Sequence, residues 1–203
     1  MSRYRLGPLR IGFFYGAIAV VVALAADLRF LFIDPQEIPD WILTAIEEFR
    51  TQLALTVTLF LGILAAIRTR PTRLDPDVPY RSLLLRDCVL AATVVAAMVG
   101  FALFVATALN ATLFADEIRA YASEAAPSIV AYNEKVAARL DDPPSLPSVA
   151  EIEADLQPPV LRDLGRSMAN FVLRALVVGT GGALVGLIRG RAGPPGGPKP
   201  REG

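Results

Sequence analysis

The chain has 203 residues, with 20 Lys and Arg balanced by 20 Asp and Glu, no His and one Cys. Apolar residues reach 54%, against about 45–50% in soluble domains. These figures exclude a disordered chain, a collagen-like chain and a disulfide scaffold. The missing imidazole also excludes His-ligated haem, His-bound zinc and a His general base.

The apolar residues are bunched into four runs. The first covers residues 11–26 and continues past Asp27, Leu28 and Arg29 through Phe30, Leu31, Phe32 and Ile33. The second covers 53–67 and is short alone, but Ile42, Ile46, Phe49 and Leu53 extend it backwards at spacings of 4, 3 and 4. That spacing marks one face of a helix. Asp40 can cap it and Trp41 suits the membrane interface. The third run is 88–114, whose one strongly polar member is Asn110, and the fourth is 168–188, interrupted by Asn170 and Arg174. A membrane span takes about 20 mostly apolar residues, with a range of roughly 17–25. The runs are too long for strands and lack a period of two. The expected fold is therefore all-α: an integral membrane four-helix transmembrane bundle with a small helical extracytoplasmic loop region.

Charge sets the orientation. Segments 1–10, 68–87 and 189–203 hold twelve basic and four acidic residues, a balance of +8. Segments 34–50 and 115–167 hold six basic and fifteen acidic residues, a balance of −9. Asp27, Arg29 and Arg174 make up the remaining +1. Basic short loops face the cytoplasm, so both termini are expected there. The order is then a cytoplasmic segment 1–10, span 11–33, an outer loop 34–50 with the start of an interfacial helix, and span 51–67. A basic, Pro-rich cytoplasmic loop 68–87, span 88–114, an acidic outer loop 115–167, span 168–188 and a disordered cytoplasmic tail 189–203 follow. The first run, with its basic flank and Ala23-Leu24-Ala25, also fits a cleavable signal peptide. Arg and Ala richness with only two Lys points to a high-GC bacterium and hence to a bacterial inner membrane.

The large outer loop carries an amphipathic pattern at Ile118, Ala122, Ala125, Ile129, Tyr132, Val136 and Leu140, with a break or kink expected at Pro127. Ser148 and Glu151 form a capping-box pattern that starts a short acidic helix ending near Leu156. Pro158 and Pro159 suit the first turn of a helix leading into the last span. A segment of about 50 residues can hardly hold a core alone. It should therefore pack on the membrane surface, on residues 34–50 or on a partner. In the tail, Pro195 and Pro198 match a polyproline ligand weakly.

Polar residues at membrane depth are the places to look for chemistry. Asp27 and Arg174 each lie six residues from the outer end of their runs, about 9 Å along a helix, and Asn110 is close to that level. An Asp27–Arg174 pair with Asn110 beside it is expected. Such a pair fixes helix register, or it forms a proton or ion relay, or Arg29 and Arg174 snorkel to the interface instead. Gly179, Gly182 and Gly186 with Ala175 form a small-residue stripe in the last span, as Gly12 and Gly16 with Ala19 and Ala23 do in the first. Such stripes let helix backbones approach closely, within the chain or between subunits.

Enzyme signatures are missing: there is no G-x-S-x-G, H-E-x-x-H, Walker A or G-x-G-x-x-G. Cys88 is alone, which removes paired-thiol chemistry, and one membrane carboxylate cannot make an aspartyl dyad. The scattered loop carboxylates match no calcium loop. No catalytic residue, cofactor, metal or nucleic-acid partner is expected. The function expected is a non-catalytic accessory, assembly or scaffold subunit of a membrane complex. The lipid bilayer, partner subunits or further copies of the chain would be its partners. A small oligomeric transporter or channel using Asp27, Asn110 and Arg174 is the alternative.

Overall fold

A computed structural model describes residues 7–71, 78–141 and 145–191. Parts of the basic loop, the Asp142-Pro143-Pro144 stop and the Pro195/Pro198 tail motif lie outside the described residues. The fold is all-helical, with no strand among the described residues. Its helices are α1 (Pro8–Asp27), α2 (Asp40–Arg68), α3 (Tyr80–Thr112), α4 (Ala115–Ala137), α5 (Val149–Leu156) and α6 (Leu164–Arg191). Single 3-10 turns lie at Arg29–Leu31 and Leu161–Asp163. α1, α2, α3 and α6 are long and apolar enough to cross a membrane. The chain is of the multi-pass membrane type by that criterion.

The boundaries differ from the sequence expectation in instructive ways. α1 stops at Asp27 and the chain tightens into the 3-10 turn, so residues 28–33 do not extend the first helix. α2 is one uninterrupted helix starting at Asp40, as the backward pattern implied. The Asp40 carboxylate, however, is taken by Lys135 Nζ at 3.0 Å. α3 begins at Tyr80, well before the apolar run. The two prolines at 158 and 159 precede the second 3-10 turn, and α6 starts only at Leu164.

The chain divides into two compact units. The first comprises Met1–Ala23, Ala54–Ala102 and Met168–Gly203. Here small residues make the contacts. On α1 the buried residues are Gly12, Gly16, Ala19 and Ala23, while Phe13, Phe14, Ile18 and Val21 are exposed. A side chain at Gly12 would meet the Ala91 carbonyl oxygen and Val94 Cβ, each at 2.8 Å, and one at Gly16 would meet Met98. On α6 a Cβ at Gly182 would lie 2.6 Å from Ala92 Cβ and 2.9 Å from the Cys88 carbonyl oxygen. One at Gly186 would lie 2.8 Å from Leu85 Cα, and one at Gly179 3.0 Å from Thr93 Oγ1. All these neighbours belong to α3. Large apolar groups outside and small ones inside reverse the order of a water-soluble core. Ala66, Leu84, Cys88, Ala92, Ala96 and Val178 form the buried centre of this unit.

The second unit comprises Leu24–Leu53 and Leu103–Ser167. Its core is Leu43, Tyr121, Ala122, Ala125, Ile129 and Leu156, with Phe30, Ile33, Ile38 and Ile152 against it. Of the three supports open to the outer loop, the structure uses the segment before and at the start of α2. The α4 pattern is buried as far as Ile129, but Tyr132 is half-buried and Val136 and Leu140 are exposed. α4 also runs unbroken through Pro127. The proline is exposed while Ala125, Ala126, Ile129 and Val130 around it are buried, so packing on both sides holds the helix together.

The face of α2 that the sequence marks by its spacing is not the one buried within the chain. Phe49 and Leu53 are exposed, and Ile42 and Ile46 are only half-buried. The buried stripe is Leu43, Ala54, Thr58, Leu61 and Ala65, with Glu47 and Arg50 completing the 4, 3, 4 spacing between Leu43 and Ala54. The period was right, but the more apolar face is the outward one.

The Ser148 capping box forms as the sequence implied. Ser148 Oγ accepts from the Glu151 amide, and Glu151 Oε2 accepts from the Ser148 amide at 2.7 Å. These backbone and hydroxyl hydrogen bonds hold the Glu151 carboxyl below its ordinary pKa. A lowered folded-state pKa contributes stability above the unfolded value that is lost as pH falls through the folded one. The protection of α5 amides, taken relative to their intrinsic exchange rate at each pH, should therefore fall as pH drops below the ordinary glutamate range, and Glu151→Gln should flatten that dependence. In the first unit, Gly182→Val should lower stability by about 1–3 kcal/mol by forcing α6 from α3. Gly165→Ala, with nothing within 4 Å, should be neutral or slightly stabilising. Thermal unfolding in detergent reads both.

Candidate functional site

In the second unit the polar groups converge on one carboxylate. The 3-10 turn after α1 turns Arg29 inward, and the α2 stripe presents Glu47 to it. Arg29 Nε donates to Glu47 Oε1 and its Nη2 to Oε2, the bidentate fork that makes Arg–carboxylate pairs strong. Tyr121 Oη, from α4, donates to Glu47 Oε1 at 2.7 Å. Arg50 Nη1 stands 3.6 Å from Oε2. The Arg29 Cζ also lies 5.5 Å from the Tyr121 ring centroid, within cation–π range. The Arg29 and Glu47 side chains are 7% and 8% exposed.

Asp27 sits at the edge of this network. Its Oδ2 accepts from Asn110 Nδ2 at 3.0 Å, and its carbonyl oxygen accepts from Arg29 Nη1 at 3.3 Å. Asn110 is buried, yet its Oδ1 has no hydrogen-bond partner. Burial, and then the Glu47 carboxylate it donates to, push the Tyr121 hydroxyl above its ordinary pKa, so it stays a neutral donor.

The structure therefore brings together two of the three expected polar residues, Asp27 and Asn110. Arg174 belongs to the first unit. Its Nε is buried without a partner, and no ion pair among the described residues includes it. Asp27 is the last residue of α1.

Glu47, Arg50 and Tyr121 escaped the sequence reading because they fell in segments counted as loop charge. The signal was available in their spacing. Glu47 and Arg50 interrupt a helical stripe between Leu43 and Ala54, and a charged interruption on a buried face needs a partner.

Arg189 was likewise expected only to orient the chain. In the first unit its Nη1 donates to the Ala66 and Thr69 carbonyl oxygens, both at 2.8 Å. Cys88 Sγ donates to the same Ala66 oxygen at 3.3 Å. A guanidinium on the last carbonyls of a helix satisfies orphan acceptors and complements the helix dipole. The five stripe glycines face α3, where they lower the distance between backbones. Among the described residues no group of three or more metal-ligating side chains occurs.

No protein-family model, curated protein or solved structure matches the chain.

Removing one member of a buried ion pair strands the other, at about 3–5 kcal/mol. Glu47→Ala should cost about that much, and Tyr121→Phe about 1–2 kcal/mol for its lost hydrogen bond to a charged group. Both should loosen α4 before the first unit, read as faster proteolysis within residues 115–140 in detergent.

Proposed function

We propose that this chain is a bacterial inner-membrane protein with four spans in one bundle and both termini in the cytoplasm. We infer that it serves as a non-catalytic accessory, assembly or scaffold subunit presenting its acidic helical cap outside. The observation that carries this assignment is where the polar chemistry goes. Glu47, Arg29 and Tyr121 occupy one another's hydrogen-bonding positions, and their effect is to fasten α4 to the start of α2. The cap is thereby a rigid, displayed element. Large side chains such as Phe60, Phe101, Leu176, Leu184 and Ile188 are exposed along the long helices, a surface suited to lipid or to neighbouring helices. The basic segments 68–87 and 189–203 support the cytoplasmic assignment by the positive-inside rule.

The transporter or channel alternative draws on Asn110. A buried amide oxygen without a partner beside Asp27 is suited to a water or a proton carrier.

Alkaline phosphatase fused after residue 141 should be active, and fused after residue 78 inactive; the reverse result removes the orientation. Purification in mild detergent should bring down membrane partners at fixed stoichiometry. Ion or proton flux in liposomes that Asp27→Asn abolishes would favour the alternative.

A further inference from the structure

Arg174 stands out among the charged residues of the long helices. It lies eight residues beyond Arg166 and seventeen before Arg191, about 12 Å and about 25 Å along the α6 axis. An ionised side chain left alone within an apolar helix is costly. Its Nε is nonetheless buried with no acceptor, and the residue takes part in no ion pair among the described residues. Glu47 is held by Arg29 and Tyr121, and Asp27 accepts from Asn110.

Arg174 is not wholly enclosed. It is half-buried, and Val172, Leu173, Leu176 and Val177 around it are exposed. On the same helix Val178 and Gly182 are buried, with Val178 packed at Gly62 of α2 and Gly182 at α3. One side of α6 is therefore used within the chain. The other is an apolar strip with a cation at its margin. An apolar strip alone would suit lipid tails, but the guanidinium asks for an anion on that surface.

We propose that Arg174 is a recognition residue for a second membrane protein: it takes the carboxylate of an Asp or Glu carried by a partner's transmembrane helix lying along this strip. Charge complementarity selects the partner. The guanidinium supplies donors for a carboxylate, and the exposed Leu and Val side chains pack the helix that carries it. This assignment rests on the accessory-subunit proposal and adds the chemistry by which the partner is chosen. An anionic lipid headgroup is the less favoured occupant. Arg162 and Arg166 are exposed nearer the start of α6 and are better placed to meet headgroups.

The test uses the full chain in a bacterial membrane with designed single-span probes. Three poly-leucine helices carry Asp, Asn or Leu at the level of Arg174, and association is read by energy transfer between fused fluorophores. The Asp probe should associate about tenfold better than the Leu probe, the scale of one interhelical polar contact. Arg174→Leu should remove that preference while expressing at least as well as wild type, Arg174→Lys should keep part of it, and Arg174→Asp should transfer it to a probe carrying Arg. Equal association of the Asp and Leu probes, or a preference that survives Arg174→Leu, overturns the proposal. Loss of copurifying phosphatidylglycerol in Arg174→Leu without any probe preference makes a lipid the occupant and also overturns it. Self-association lost in both Arg174→Leu and Asp27→Asn makes a second copy the partner, with the same consequence. The two proposals fail separately. A native partner retained by Arg174→Leu sinks the recognition role alone, whereas absence of any native partner sinks the accessory-subunit proposal and leaves the probe result standing.

Discussion

Close approach of backbones is the constraint on which the first unit is built. In a bilayer, side chains gain little by leaving lipid for protein, so helices associate through dispersion and shape. Gly12 and Gly16 on α1 and Gly179, Gly182 and Gly186 on α6 all place backbone against α3. α3 answers with Cys88, Ala91, Ala92 and Ala96, all buried and all small. The central helix thus owes its place to what its side chains lack. The bulky residues of the same helices, Phe13, Phe14, Leu176 and Leu184 among them, face outward.

The second unit follows the opposite economy. Its centre is a carboxylate, and the elements around it each supply one group to that carboxylate. Arg29 comes from a turn, Arg50 from the same helix as Glu47, and Tyr121 from a helix far along the chain. Buried ion pairs add little net stability but punish any arrangement that leaves one member alone. Their contribution here is to specify which surfaces meet. That suits a short loop region whose apolar face, rich in alanine, could settle against several supports with similar energy.

Much of this was legible from residues alone, for reasons that can be named. Run length identified the four long helices, because an apolar stretch of that length has few other uses. The Ser148–Glu151 pair announced α5, because a capping box is local and needs nothing distant. Helical period found the buried parts of α4 up to Ile129. The failures are equally physical. Spacing shows that α2 is a helix but not which face packs: the apolar residues Phe49 and Leu53 are exposed, while the mixed stripe with Glu47 and Arg50 turns inward. Run length carries the first helix past Asp27 to Ile33, whereas α1 ends at Asp27. Arg29's choice of Glu47 over Asp27, and Arg189's choice of the Ala66 and Thr69 carbonyls, depend on chain positions far apart in sequence. No local pattern encodes them.

The Arg189 contact carries a consequence for the order in which the chain is assembled. The carbonyls it holds belong to the end of α2, and the residues in contact are separated by 123 and 120 positions. A ribosome adds roughly 5–20 residues per second, so the end of α2 emerges several seconds before its cap exists. Throughout that interval those carbonyls lack the guanidinium, and Ala66 has the Thr69 amide and Cys88 as donors. The seating of α6 is therefore the step at which an early helix is finished by a late one.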